Sequence, residues 1–424
     1  MDLRQDDEKI LLSQEEKKKL LLNTWMRFNS NVGALYSFFE KTTELADKLD
    51  WEGIRKISSQ VAALLKQDPE EVEKDISSLF PSMDDLEIYP DIRNDDSVKE
   101  MMEAFQDSKF MEQVSEWEQR HPFKSQKFVE IIYSAFVDPP MRGIMLRKSM
   151  LITLMTFIEM LIGEMFVNHY LIQGETKKCA IQLASNMTDD GWGKRFSNLE
   201  KIGLGSQFQS KNKNKIIEMA KLRNLLVHND GVIDEDYLKK APQKHKPLKP
   251  GSILLVSTNY FQRAIDTVYS LGFFLCTASW KLNDVPAKEQ GKKIDELIIP
   301  ALNQRRYSLV LEITKDLNGE ELPQSTPERL LVDRAIAFRE LGETRKVNKI
   351  VSNLEELDYS WSISVAIAML TNNISELQKH LMDKQVPPNI SYWPLFGPVK
   401  NEIWFKKVFM MKNKQNFPKP SKRR

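Results

Sequence analysis

Arg223, Asn224 and His228 fall within eight residues of the stretch "KLRNLLVHNDGVID", Lys221 to Asp234. A guanidinium presents paired N–H donors that match phosphate oxygens. An imidazole can take up or give a proton near neutral pH. A carboxamide can orient either group. On a helical wheel, Ile216, Met219, Ala220, Leu222, Leu226 and Val227 make a broad apolar arc, and Arg223 falls inside it. Asn224 and His228, four apart, share the other edge with Lys221. A guanidinium facing packed surface is costly unless a partner or a site compensates it. The plain alternative is that Arg223 pairs with Glu159 or Glu164 of a neighbouring helix and that His228 is an ordinary helix-end residue. Asn229-Asp230-Gly231 predicts the end of the helix, with Gly231 left-handed just beyond it. That leaves His228 in the last turn, where the carbonyl end of the dipole favours an imidazolium.

The rest of the chain must position these groups. Its 424 residues exceed the usual single domain and suffice for two or three. Charges nearly cancel, at +1 overall, so any nucleic-acid contact must come from a local patch. Glycine is scarce and 3.6-residue periodicity dominates, so an all-α fold is expected. Cys179 and Cys276 lie in apolar surroundings and read as buried thiols of a reducing compartment. The N-terminus lacks an apolar signal core, and the apolar stretch Met150 to Phe166 carries Glu159 and Glu164. It reads as a buried helix rather than a membrane span, so a cytoplasmic protein without membrane contact is expected. His121, His169, His228, His245 and His380 show no ligand spacing, and no HExxH, Walker or GxGxxG motif occurs, so no metal or cofactor is expected.

Four regions are expected. Residues 1–130 form a charged helical region. Its first helix opens on a Ser13/Glu16 capping box, and a separate helix begins at Trp51. Residues 131–285 form a helical domain. It holds a long helix from Ile144 to Gln173, a polar loop "SNMTDDGWGKRFSN", the motif helix and a basic, proline-rich loop. "SILLVS" follows as a short strand or helix lead-in, before a last helix capped by Thr258 or Asn259. Residues 290–410 read as helical hairpins, resembling tetratricopeptide repeats, closed by a helix in "WPLFGPVKNEIWFKKVF". Residues 411–424 are a basic, disordered tail.

Residues 140–285 resemble the HEPN superfamily. Arg223, Asn224 and His228 match its signature of an Arg, a polar residue, a short spacer and a His at a helix end. The "HNDG" that follows resembles the stand-alone members carrying Asn-x-Gly after the His. Position 230 is Asp, so the His-x-Tyr extension of antitoxin-neutralised members is missing. Glu159, central in the long helix, is where the resemblance expects an acid. The resemblance implies a helical bundle that forms a homodimer and brings two motifs together across a dyad. It also implies a metal-independent endoribonuclease. His228 would be the acid/base, Arg223 would stabilise charge on phosphorus, and Asn224 would orient one of them. Glu159, Lys221 and Asp230 would support them. Arg223 and His228 lie about 140° apart around one helix, so a single motif barely converges.

RNA contact would use Lys211, Lys213 and Lys215 before the motif, with Lys221 within it. Lys239, Lys240, Lys244, Lys246 and Lys249 lie after it. Each alone reads as a solvated charge. A bacterial defence or toxin-like role follows by analogy, with a protein or peptide partner on the C-terminal hairpins. The competing class is a non-catalytic scaffold or RNA-binding interaction protein, in which Arg223 is structural.

Overall fold

A computed structural model describes residues 11–65, 68–70, 72–73, 88–90, 142–188, 191–205, 210–229, 231–240, 250–254, 256–315, 325–356, 361–383 and 394–406. The fold is all-α, with one short antiparallel pair of strands, β1 (Ile88–Pro90) and β2 (Ser252–Leu254). The chain divides into two compact units, Met1–Ser279 and Trp280–Arg424. The expected boundary at 130/131 and the basic tail 411–424 lie outside the described residues.

The first unit is built on two long helices. Helix α1 (Gln14–Leu65) is continuous, where the sequence suggested separate helices meeting near Trp51. Leu21, Trp25, Phe28, Val32, Tyr36, Phe39, Thr43, Ala46, Asp50 and Ile54 are buried at steps of three or four residues, one stripe without a break. The stripe runs through Asp50, and Gly53 costs only about 1 kcal/mol inside a helix that packing supports. The predicted capping box is present. Glu16 N–H donates to Ser13 Oγ at 3.3 Å and Ser13 N–H donates to Glu16 Oε2 at 2.8 Å. Helix α2 (Arg142–Ile172) packs antiparallel on α1. Polar pairs pin both ends of that packing. Asn168 donates to Thr24 at 2.9 Å and Arg27 meets Glu164 at 2.8 Å. At the other end Arg147 meets Asp47 at 3.0 Å, and Asp50 accepts the backbone N–H groups of Arg142 and Gly143, each at 2.9 Å. Asp50 thus caps another helix from the middle of its own. A Cβ on Gly143 would sit 2.5 Å from Asp47 Oδ1, so this corner needs a glycine.

Met145–Ile172 is long and apolar enough to cross a membrane, and half of its most apolar window is buried within the protein. Against α2 lie α3 (Lys177–Thr188) and α5 (Ser210–His228), and α4 (Trp192–Lys201) packs on α5 and α3. Helix α4 falls where the sequence suggested a polar loop. Its anchors Trp192, Phe196 and Leu199 are spaced i, i+4, i+7, which buries Phe196 and Leu199 and half-buries Trp192 despite Gly193 in the first turn. The short α6 (Glu235–Lys240) and β2 lead to α7 (Thr258–Leu282). The cap of α7 is Ser257, one residue before the expected pair, whose Oγ accepts Tyr260 N–H at 3.1 Å. Trp25 and Phe28 of α1 meet Tyr269 and Phe273 of α7 in an aromatic cluster. Cys276 is fully buried, which pushes its thiol pKa well up, and Cys179 is half-buried.

The second unit is a run of helical hairpins: α8 (Ala287–Asn303), α9 (Tyr307–Lys315), α10 (Ser325–Glu340), α11 (Thr344–Glu355), α12 (Trp361–Leu370) and α13 (Ile374–Asp383). Trp361 Nε1 donates to the His380 carbonyl at 3.0 Å and ties α12 to α13. The expected closing helix is instead a 3-10 turn, Pro394–Phe396, broken by Gly397-Pro398 before a short turn of helix near Phe405.

Six helices, α2, α4, α7, α8, α10 and α12, end in one way. A left-handed residue (Gly174, Gly203, Asp284, Arg305, Gly342 or Asn372) bonds three residues back, and the next N–H bonds five back. This is the Schellman closure. Helix α5, which carries the motif, ends differently.

Candidate functional site

Helix α5 buries Ile216, Met219, Ala220, Leu222, Leu225 and Leu226. Val227, expected on the same arc, is 46% exposed, while Leu225 and Leu226 in the same turn are buried. Arg223 is half-buried in that face, as the wheel suggested. Its Nη1 donates to Asn224 Oδ1 at 3.0 Å. Its Nη2 lies 3.9 Å from Glu159 Oε2 of α2, beyond hydrogen-bond reach. Its Nε is enclosed and has no partner.

Glu159 is otherwise engaged. Its Oε1 accepts from Arg195 Nη1 of α4 at 3.1 Å. Arg195 Nε donates to the Thr188 carbonyl at 2.8 Å, and its guanidinium lies 5.2 Å from the Trp192 ring centroid. Asn198 Nδ2 donates to the Met187 carbonyl at 3.0 Å and fixes α4 to the end of α3. Two guanidinium groups therefore share one carboxylate, and the cluster carries net positive charge. Glu164, the other candidate for Arg223, is taken by Arg27.

Asn224 and His228 are exposed on the neighbouring edge. Among the described residues no hydrogen bond involves the His228 ring. The end of the helix is wider than elsewhere. Leu225 O accepts Asn229 N–H at 3.0 Å and Gly231 N–H at 3.1 Å, a reach of six residues rather than five. Gly231 has φ +90°, as its position predicted. The turn is cross-braced: Asn229 Nδ2 donates to Val232 O at 2.6 Å, and Asp234 Oδ1 accepts Tyr237 N–H at 2.6 Å. Gly231 O in turn accepts Leu254 N–H at 2.9 Å, which pins the motif's end to the lead-in of α7.

The supporting groups divide. Lys221 is half-buried beside the motif. Lys213 is bonded to Glu200, so its charge is already matched. Lys215 and Lys239 are exposed. Lys211 lies in the first turn of α5 and Lys240 ends α6; their side chains, like Asp230, Lys244, Lys246 and the lead-in Lys249, lie outside the described residues. His169 is at the far end of α2, 3.0 Å from Gln173 Nε2 and against the Tyr170 ring, where burial lowers its pKa. Arg195 and Trp192 are the groups that sequence reasoning missed. The signal was present in the apolar spacing of Trp192, Phe196 and Leu199, hidden among Asp, Gly and Ser. Among the described residues no three His, Cys, Asp or Glu side chains converge.

Comparison with known protein families, curated proteins and solved structures returns no match.

Proposed function

We propose that the chain is a HEPN-type endoribonuclease acting as a homodimer, with a composite site formed where two α5 helices face each other. The observation that carries this reading is Arg223. It is held in a half-buried, net-positive cluster, 3.9 Å from a carboxylate already bonded to Arg195, with Asn224 and an exposed His228 alongside. With its Nε enclosed, Arg223 has its Nη groups left to meet an incoming oxyanion.

In the reaction, an imidazole takes the proton of the ribose 2′-OH. The O2′–P bond forms as the P–O5′ bond breaks, giving a 2′,3′-cyclic phosphate. The departing 5′-oxygen receives a proton from an imidazole of the second copy. Arg223 stabilises the charge that builds on the equatorial oxygens. Neither step calls for a metal ion. Exposed Val227, one turn beyond Arg223, gives the dyad an apolar contact. The C-terminal hairpins, read as tetratricopeptide-like, would receive a peptide partner. A cytoplasmic defence or toxin-like role fits such an enzyme.

The test is incubation of purified protein with mixed RNA, with and without chelator, beside Arg223→Ala and His228→Ala. Chelator-resistant cleavage with cyclic ends, lost in both variants, is expected. Cleavage that persists in both variants removes this site. RNA binding without cleavage in the wild type supports the scaffold reading, which the repeated hairpins of the second unit favour.

A further inference from the structure

Away from the motif, α5 and α7 part to leave a cleft of about 350 Å³. Helix α5 lines it with Lys215, Glu218 and Met219, and α7 with Tyr260, Arg263, Ala264 and Thr267. These are i, i+3, i+4 sets, so each helix turns one coherent face to the cleft. On α5 the lining ends at Met219, one turn or about 6 Å along the axis before Arg223, and the cleft includes none of the cluster residues Arg223, Glu159 and Arg195.

Its chemistry is specific. Met219 and Ala264 are each 3% exposed and give an apolar lining; the small Ala264 is what leaves the room. Lys215 and Arg263 are exposed cations, against the single carboxylate of Glu218, so the cleft favours an anion. Tyr260 is buried, and its phenol oxygen is enclosed without a hydrogen-bond partner. Burial, and then Glu218, push the Tyr260 pKa well up, so the phenol stays a neutral donor. The Thr267 hydroxyl is spent on the Arg263 carbonyl, at 2.8 Å. The volume falls in the range of small-ligand sites, roughly 300–1,000 Å³.

We infer that this cleft binds one phosphorylated nucleoside: the phosphate on Lys215 and Arg263, the base face on Met219 and Ala264, and a ribose hydroxyl or exocyclic amine on Glu218. The unit is either a free nucleotide or one residue of an RNA strand. The inference does not depend on cleavage at the motif.

Calorimetry on the full chain separates the two sources. The probes are the four nucleoside 5′-monophosphates and a 2′-O-methyl ten-nucleotide single strand, which cannot be cut by 2′-OH attack. For a free-nucleotide site, at least one monophosphate binds at micromolar to submillimolar concentration, and Arg263→Glu weakens it tenfold or more. For a strand subsite, the monophosphates fail, while the oligonucleotide binds and loses about tenfold with Ala264→Leu, which fills the cleft without changing charge. Arg263 is exposed, so its variant keeps the fold; Ala264→Leu is used at matched melting temperature, and Glu218→Gln replaces it otherwise. The proposal is overturned if no probe binds, or if monophosphate binding ignores Arg263→Glu and oligonucleotide binding ignores the cleft-filling or Glu218 variant. Cleavage that continues in such a protein would leave the motif reading standing.

Discussion

Helix α2 carries two arginine–carboxylate clusters that look alike in sequence and differ in how fully they are satisfied. At its N-terminal corner Arg147 is completely buried, bonded to Asp47 and, through Nε at 2.9 Å, to the Val256 carbonyl. Asp50, equally buried, accepts two backbone N–H groups. Near the helix centre Glu159 is stretched between Arg195 and Arg223, and Arg223 keeps an orphaned Nε and a 3.9 Å gap. The first cluster has no capacity left for a ligand. The second keeps net positive charge, and its Arg223, with Nε enclosed, is half-buried rather than fully buried.

The largest expected effect breaks the saturated side. Arg147→Ala should cost about 3–5 kcal/mol, because Asp47 is left beside a void and a carbonyl goes unpaired; urea melts of the purified chain measure it. A loss below about 1 kcal/mol would mean the corner is not what holds α2 on α1. His228→Ala should do the reverse. Cleavage should fall by about 10²–10⁴, while stability stays within about 0.5 kcal/mol, as for a surface change. If the melt shifts as much as it does for Arg147→Ala, His228 belongs with the structural groups.

Arg195→Ala sharpens the comparison. Without Arg195, Glu159 should close on Arg223 and withhold it from phosphate, lowering cleavage about tenfold. Adding Glu159→Gln should restore most of that loss, which a merely structural arginine would not show. The smallest effect lies far from both clusters. Hydrogen bonds from Ser13 lower the pKa of Glu16 below its ordinary 4.5. A depressed carboxylate stabilises the fold above the unfolded value, and that contribution disappears as pH falls through the folded value. Ser13→Ala should therefore lower the melting temperature slightly at pH 7 and by less near pH 2, where only the cap of Ser13 Oγ on the Glu16 N–H is lost.

The sequence made Arg223's unusual placement legible, because an arginine inside an apolar arc is visible on a wheel. It also made Gly231 legible, because only a residue tolerant of positive φ ends a helix that way. It did not reveal which glutamate Arg223 would approach. Glu159 and Glu164 are equally plausible in one dimension, and α1 decides between them by supplying Arg27 to Glu164. Helix α4 escaped notice because Gly191 before it, Gly193 within it and a polar composition outweigh, locally, three anchors that find their cover only on α3 and α5. The apparent break near Trp51 has the same origin: Asp50 disturbs the apolar stripe of α1 because its partners, the first amides of α2, lie 92 and 93 residues further on.

That distance matters while the chain is being made. At about 5–20 residues per second, roughly a hundred residues, or about 5–20 s of synthesis, separate the end of α1 from the completion of α2. Throughout that interval Leu21, Trp25, Phe28 and Phe39 have no α2 to cover them, and Asp50 has no helix to cap. The aromatic partners on α7 arrive later still. The ribosome thus delivers the apolar stripe of α1 well before its covers on α2 and α7, so yield in a host cell should depend on elongation rate and chaperone supply.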